Sequence, residues 1–205
     1  MEFWNSMLTE KSWVLLNELV KSYNFILIGG WATYLWSKQQ KSKDVDIVVS
    51  IDELQNLKSE PSFSKNDSLR RYQIKKGDID VDIYTEHYSE LAIPPENLKD
   101  YKRVIDGFNV VSPEALIVLK QGAFSDRKNS VKGEKDKIDI ISLLFFAGIN
   151  FSDYYSILKK HSIIGYLDEL IAIIRSFSDY NALGFTPKEF KVKKSFIIDE
   201  LRKLR

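Results

Sequence analysis

Phe25-Ile26-Leu27-Ile28-Gly29-Gly30 and Asp44-Val45-Asp46-Ile47-Val48-Val49 are two strand-like runs that follow one another closely in the sequence. Four consecutive apolar residues that end at two glycines predict a buried strand that turns into a helix over residues 31–37. The backbone N–H groups at the start of a helix are donors for an anion. Gly29 and Gly30 are therefore candidates for a turn that holds phosphate, although paired glycines also occur where a tight turn is all that is needed.

Asp44 and Asp46 lie two residues apart at the start of the second run. Residues two apart on a strand point to the same face of a sheet, so both carboxylates are expected to project together. Two neighbouring acids disfavour each other's ionisation unless a cation lies between them. The pair therefore predicts a divalent metal site, although an acidic strand edge can also be a solvated polar face.

A third acidic segment, Asp78-Ile79-Asp80-Val81-Asp82-Ile83-Tyr84, alternates strictly between acidic and apolar residues. This alternation predicts a strand with its aliphatic side chains on one face and its three aspartates on the other. Aspartate is depleted in strands, so its repeated use here requires an explanation beyond propensity. Metal coordination by one or two of these aspartates supplies such an explanation.

The order of strand, Gly-Gly, helix and then Asp-x-Asp resembles the nucleotidyltransferase superfamily related to DNA polymerase beta, and AbiEii-like and other minimal members are the most similar. In that family the glycine turn holds a nucleoside triphosphate, two acids bind magnesium, and a third acid comes from a neighbouring strand. The resemblance implies that Asp44, Asp46 and Asp82 are the catalytic and metal-binding residues, with Asp80 as the alternative third acid. One departure is Trp31, because many members have a serine after the second glycine.

A second region extends the resemblance. Ser112-Pro113-Glu114 predicts a helix start, and the helix that follows carries Lys120 and Arg127 nearly two turns apart on one face. With the segment Lys135-Asp136-Lys137-Ile138-Asp139, these residues resemble the family's later block of Lys, then Arg, then Lys-Asp-x-x-Asp. The two basic residues are also compatible with the solvated side of an amphipathic helix.

The resemblance assigns roles within this block. It implies that Lys120, together with Arg127 or Lys132, approaches the triphosphate. Asp136 and Asp139 are expected to organise the helix pair. The alternative for Lys135 and Asp139, which are four residues apart, is an ordinary surface ion pair.

The chain has 205 residues with an ordinary apolar fraction of 44%, which suffices for a sizeable core. We expect an α+β fold in which residues 1–111 form a catalytic core, a mixed β-sheet with flanking helices. Residues 112–205 are expected to form a helical bundle that packs on the core and completes the nucleotide site. Trp31 is expected to be a core residue.

Local patterns predict the further elements. The expected elements are an opening helix over residues 9–22, a short helix over 52–58 followed by a loop to 67, strands over 70–75, 79–84, 103–105 and 108–111, and a last helix from Pro187. Pro94-Pro95 is expected to interrupt regular structure.

Thirty basic and 29 acidic residues nearly cancel, so overall charge gives no argument for a nucleic acid or a membrane surface. Local basic patches leave nucleic acid open as a partner, and a protein partner is open as well. The absence of cysteine excludes thiolate metal sites. Residues 1–5 lack an export-signal pattern and the apolar run at 140–149 is too short for a bilayer, so we expect a cytoplasmic protein without membrane insertion.

Together with the candidate metal site, the resemblance implies a nucleotidyltransferase that uses Mg²⁺ or Mn²⁺ and moves a nucleoside monophosphate from a nucleoside triphosphate, with ATP favoured, to an acceptor hydroxyl. The acceptor stays open, because RNA, a protein and a small molecule each carry hydroxyl groups. The alternative is a nucleotidyltransferase-like module that has lost turnover and binds a protein, such as an antitoxin-like partner.

Overall fold

The computed structural model describes residues 6–205, which divide into two compact units, one ending at Ser112 and one spanning Pro113–Arg205. Residues 1–5, on which the expectation of no export signal partly rests, lie outside the described residues. Among the described residues, no helix combines the length and apolar character needed to cross a membrane.

The first unit contains a mixed sheet with helices. Its elements are α1 (Ser6–Ser22), β1 (Ile26–Ile28), α2 (Gly29–Ser37), β2 (Val45–Val49), α3 (Ile51–Leu57), β3 (Ser64–Asn66), β4 (Arg71–Lys76), β5 (Ile79–Thr85), a 3₁₀ helix (Pro95–Tyr101), β6 (Lys102–Ile105) and β7 (Phe108–Val111). In the described part of the chain the seven strands form one sheet in the order β3-β4-β5-β2-β1-β7-β6. The predicted α+β class is confirmed.

The centre of the sheet combines both strand directions. Strand β2 is antiparallel to β1 and parallel to β5, while β1 is parallel to β7. The alternation predicted for β5 is confirmed, because Ile79, Val81 and Ile83 are buried. Burial of such aliphatic side chains on one face stabilises the unit by about 2 kcal/mol for each side chain.

Two tight hairpins complete the sheet. Strands β4 and β5 are joined at Gly77, whose φ of 60° lies in the left-handed region. Strands β6 and β7 are joined at Asp106 and Gly107, where φ is positive at both residues, as a type I′ turn requires. Both predicted hairpins are confirmed.

Two expectations about irregular segments were wrong. The expected loop up to residue 67 contains β3, whose residue Ser64 pairs with Gln73 of β4. This edge strand is short and exposed, so it carries no apolar alternation that would predict it. The segment at Pro94-Pro95 begins a 3₁₀ helix, because proline fits the first position of a helix, where no N–H group is needed.

The second unit is helical, as predicted. It comprises α4 (Pro113–Asp126), α5 (Val131–Phe146), α6 (Phe151–Lys160), α7 (Tyr166–Ser176), a short 3₁₀ helix (Asn181–Leu183) and α8 (Pro187–Arg202). The expected start of α8 is confirmed: the Thr186 side chain accepts from the Glu189 N–H, and the Glu189 carboxylate accepts from the Thr186 N–H. Leu167, Leu170 and Ile174 are buried along one side of α7.

Candidate functional site

Gly29 lies at the junction of β1 and α2, directly against Asp46. Its φ of 67° falls in the left-handed region that favours glycine. A Cβ atom added at Gly29 would lie 2.5 Å from Asp46 Cγ and 2.7 Å from Asp46 Cβ, well inside contact distance. Glycine therefore serves two purposes here, since it allows the turn and brings the start of a helix against a carboxylate.

The start of α2 is a candidate anion site. Its N-cap residue is Ile28, which has no side-chain acceptor to satisfy the N–H groups of the first turn. The first N–H groups of a helix have no intrahelical acceptor, and the helix dipole favours negative charge near them. Gly29 and Gly30, the residues predicted to hold phosphate, form this first turn.

The sheet aligns two of the predicted acids. Strands β2 and β5 are parallel, and Asp46 is in register with Asp82. Asp44 lies immediately before β2. Asp80, the alternative third acid, is in register with Lys75 of β4. The register therefore places Asp82, rather than Asp80, opposite Asp46, and we refer to Asp44, Asp46 and Asp82 together as the acid face.

Both carboxylate oxygens of Asp82 are engaged by strand β4. Nη1 of Arg71 lies 2.8 Å from Oδ2, and Nε2 of Gln73 donates to Oδ1 at 2.8 Å. Asn66 of β3 donates to Oε1 of Gln73 at 3.2 Å, which orients the glutamine amide with its NH₂ group toward Asp82. Arg71 also donates to the hydroxyl of Tyr84 at 3.3 Å. Three neighbouring strands therefore fix the Asp82 carboxylate.

The surroundings of Asp82 oppose its ionisation. Its pKa is raised to about 7, first by burial and then by the negative charge of Asp46, while Arg71 and Gln73 act in the opposite direction. Burial also raises the pKa of Tyr84, and Asp46 and Asp82 add to that effect. An additional cation beside Asp46 and Asp82 would favour the ionised form of Asp82.

The chemistry of the acid face fits a hard divalent cation. Carboxylate oxygens are the ligands that Mg²⁺ and Mn²⁺ prefer. Within residues 6–205, however, no three His, Cys, Asp or Glu side chains meet closely enough to form a metal centre. Asp44 and Asp46 are thus the candidate ligands, while Asp82 is engaged by Arg71 and Gln73.

The predicted basic residues lie in the helical unit, in an ion cluster formed by Lys120, Arg127, Lys135, Asp136 and Asp139. Lys120 Nζ lies 2.7 Å from Asp139 Oδ2 and 3.2 Å from Asp136 Oδ1. Arg127 Nε lies 2.7 Å from Asp136 Oδ2, and Lys135 Nζ lies 2.9 Å from Asp139 Oδ2. The two Lys120 ion pairs join α4 to α5, Arg127 joins the segment after α4 to α5, and the Lys135 ion pair lies within α5.

Burial distinguishes the members of the ion cluster. The Lys120 side chain is 8% exposed and Asp139 is fully buried, whereas the Arg127 side chain is 38% exposed. The surface alternatives for Lys120 and for the pair of Lys135 with Asp139 were therefore wrong. Burial alone would raise the pKa of Asp139, but Lys120 and Lys135 outweigh burial and lower it. A role for Lys120, Arg127 or Lys132 in nucleotide binding stays a prediction.

Trp31 is a core residue, as expected. Its side chain is buried, and its Nε1–H donates to the Ser12 hydroxyl at 2.8 Å. The ring also packs on Trp13, with ring centroids 4.9 Å apart. Trp31 therefore anchors α2 to α1.

The sequence reasoning missed Arg71, Gln73 and Asn66, which surround Asp82. A signal for two of them was present, because Arg71 and Gln73 alternate along β4 with the more apolar Tyr72 and Ile74. In a hairpin with β5 this alternation places the polar side chains on the face of Asp82. Asn66 gave no comparable signal, because β3 was not predicted.

Comparison with known proteins supports the fold. No protein-family model and no curated protein matches this sequence. The chain is similar to a Helicobacter pylori protein provisionally described as a nucleotidyltransferase, with a TM-score of 0.51, 20% identity, and coverage of 98% of this chain and 97% of that chain. It is also similar to JHP933 from Helicobacter pylori, with a TM-score of 0.50, 20% identity, and coverage of 97% and 95%. The chain therefore has the fold of nucleotidyltransferase-like proteins.

Proposed function

We propose that this protein is a nucleotidyltransferase that moves a nucleoside monophosphate from a nucleoside triphosphate to an acceptor hydroxyl, with release of pyrophosphate. The observation that carries the proposal is the alignment of Asp46 with Asp82 directly beside Gly29. This arrangement combines aligned carboxylates with a helix start that has no side-chain cap. The similarity in fold to the Helicobacter pylori structures supports the same reaction class, although a fold alone does not specify a reaction.

In this proposal Asp44 and Asp46 hold Mg²⁺ or Mn²⁺, and Asp82 is the third ligand. The cation, when bound, neutralises charge on the triphosphate and increases the acidity of the acceptor hydroxyl. In the same proposal the ionised Asp82 carboxylate also receives the proton of the acceptor hydroxyl. The first N–H groups of α2 bind a phosphate oxygen through fixed dipoles.

The most direct test uses triphosphates labelled at the α-phosphate. Each of the four nucleotides, beginning with ATP, is incubated with the protein, Mg²⁺ and a cell extract, and the RNA, protein and metabolite fractions are then counted. We expect label in one of these fractions, which names the acceptor class. In a parallel reaction with γ-labelled nucleotide, adding the protein to the extract should add no label to that fraction, because pyrophosphate is the leaving group.

Three variants connect the label to the acid face. Asp44→Asn and Asp46→Asn should abolish transfer while the protein remains folded. Asp78→Asn, at an exposed position of the β4–β5 turn, is the matched control and should retain transfer. Transfer that persists in both site variants would contradict the proposed reaction, as would the lack of label in every fraction with all four nucleotides.

One observation favours the alternative, a module that binds a protein without turnover. Both oxygens of Asp82 are engaged, and the described residues contain no group of three metal-ligating side chains. The two functions differ in their response to ligands, because a ligand that binds the native state raises the melting temperature. A rise in melting temperature with Mg²⁺ and a triphosphate that is lost in Asp44→Asn supports the enzyme. The module is supported if Mg²⁺ and triphosphates leave the melting temperature unchanged and the protein binds a protein partner tightly.

A further inference from the structure

Arg71 and Asp82 form an ion pair within the candidate site. Their exposed side-chain fractions are 17% and 9%, so the pair is largely withdrawn from solvent. In this environment a guanidinium and a carboxylate attract each other far more strongly than on an open surface. The pair therefore occupies one oxygen of an acid that a divalent cation would otherwise use.

The contacts on the two oxygens of Asp82 differ in how firmly they are held. Gln73 is directly opposite Asp82 in the β4–β5 ladder, and Asn66 fixes the orientation of its amide. Arg71 reaches Asp82 from a neighbouring position, and its buried Nε makes no hydrogen bond. Oδ1 is therefore held by an amide whose orientation β3 fixes, whereas Oδ2 is held by a long side chain whose Nη1 is shared with the Tyr84 hydroxyl at 3.3 Å.

We propose that Arg71 is the internal counter-ion of Asp82 and must release Oδ2 before Asp82 joins Asp44 and Asp46 around a divalent cation. Gln73 keeps its bond to Oδ1 and holds the carboxylate in place during this exchange. Arg71 thus sets the affinity of the acid face for the cation. The inference rests on the proposed function, since it assigns the cation to the three acids named there.

The test measures Mn²⁺ binding in the absence of nucleotide, through the loss of the electron paramagnetic resonance signal of the free ion. Arg71→Gln should bind Mn²⁺ about tenfold more tightly than the unaltered protein, because the substitution removes the guanidinium charge that competes with Mn²⁺ for the Asp82 carboxylate. Arg70→Gln is the matched control. It makes the same charge change at the adjacent residue, whose exposed side chain pairs with Glu90, and should leave the affinity unchanged.

A second background separates competition for Asp82 from simple charge repulsion. If Arg71 acts by occupying Asp82, Arg71→Gln should have no effect on Mn²⁺ affinity when Asp82→Asn is also present. An equal gain in both backgrounds would show that Arg71 only repels cations at a distance and would overturn the inference. Arg71→Met serves as the second variant if Arg71→Gln does not fold.

Two further results of the Mn²⁺ binding experiment test the counter-ion role separately from the proposed reaction. Unchanged or weaker Mn²⁺ binding in Arg71→Gln overturns the counter-ion role, whether or not the unaltered protein transfers label. If Arg71→Gln binds Mn²⁺ more tightly but the unaltered protein shows no nucleotidyl transfer, the counter-ion role stands and the proposed reaction is contradicted. The two proposals therefore fail separately.

Discussion

Asp46 and Asp82 occupy the same register position of two parallel strands, β2 and β5. Backbone pairing, rather than any side-chain contact, thus sets the alignment of the two carboxylates. The same strand β2 pairs on its other side with β1, where Ile28 is opposite Asp46 and precedes the glycine turn. One strand therefore connects the candidate phosphate-holding turn to both acids.

Replacing Gly29 by alanine should damage both the fold and the site. The left-handed φ costs about 1 kcal/mol for a residue with a Cβ atom, and the overlap with Asp46 adds about 1–3 kcal/mol. Gly77→Ala is the control, because Gly77 has a similar φ of 60° but nothing within 4 Å of an added Cβ. Urea unfolding measures both costs, and equal losses would show that Asp46 yields to the new methyl group.

The third acid is tested by comparing two neighbouring aspartates on β5. Asp82→Asn should lower nucleotidyl transfer by at least about a hundredfold, because a charge that neutralises the cation is lost. Asp80→Asn should retain most of the activity, since Asp80 is paired in register with Lys75 rather than with Asp46. The rate of label transfer decides this prediction, and the reverse ranking would make Asp80 the third acid.

Local sequence patterns predicted those elements whose burial follows a period. Ile79, Val81 and Ile83 alternate because one face of β5 is buried, and the helical stripe on α7 repeats for the same reason. The glycine turn was predictable because two glycines directly after an apolar run are typical of a tight turn from a strand into a helix. The aspartates of β2 and β5 stood out because aspartate is unusual in strands, whereas the choice of Asp82 as the third acid came from the family resemblance.

The environment of Asp82 depended on a register that the pattern did not specify. A three-residue turn over 76–78 would have paired Lys75 with Ile79 and set Tyr72 opposite Asp82. In the structure the turn has two residues, Lys76 pairs with Ile79, and Gln73 is opposite Asp82. A shift of one residue exchanges the two faces of a strand, so the alternation along β4 did not by itself decide which of its side chains face Asp82.

The burial of Lys120 was hidden for a different reason. Charged residues spaced along a helix have the same pattern whether they face water or a partner helix. Only the packing of α5 on α4 shows that Asp136 and Asp139 meet this lysine away from solvent. The sequence block that resembles the family motif therefore has a clear structural role in this chain.

Variants of Lys120 and Arg127 separate stability from nucleotide binding. Lys120→Met should lower the free energy of unfolding by about 3 kcal/mol, because it leaves buried carboxylates short of a cation. Arg127→Met should lower it by only about 1 kcal/mol, since the side chain is partly exposed. If Arg127 contacts the triphosphate, as the resemblance implies, its variant should remain folded and lose triphosphate affinity in calorimetry. Unchanged affinity in both variants would remove this pair from nucleotide binding.

Asp139 should make stability depend on pH at the acid end. Its pKa is lowered in the folded state, against the effect of burial, by Lys120 and Lys135. A carboxyl group with a lowered folded-state pKa stabilises the protein above its unfolded pKa, and this contribution is lost as pH falls through the folded value. The unaltered protein should therefore exceed Asp139→Asn by about 3–5 kcal/mol near neutral pH, and this difference should shrink below about pH 4.

Urea unfolding of both proteins between pH 3 and pH 7 measures this difference, and the comparison cancels groups that titrate alike in the two. Asp199→Asn provides the control, because Asp199 forms an exposed pair with Arg202 on α8 and should change stability by no more than about 0.5 kcal/mol. A difference for Asp139→Asn that stays constant down to pH 3 would mean that a neutral hydrogen bond, rather than the charge of Asp139, joins α4 to α5. A difference that grows on acidification would reverse the sign expected for a carboxylate held between two lysines.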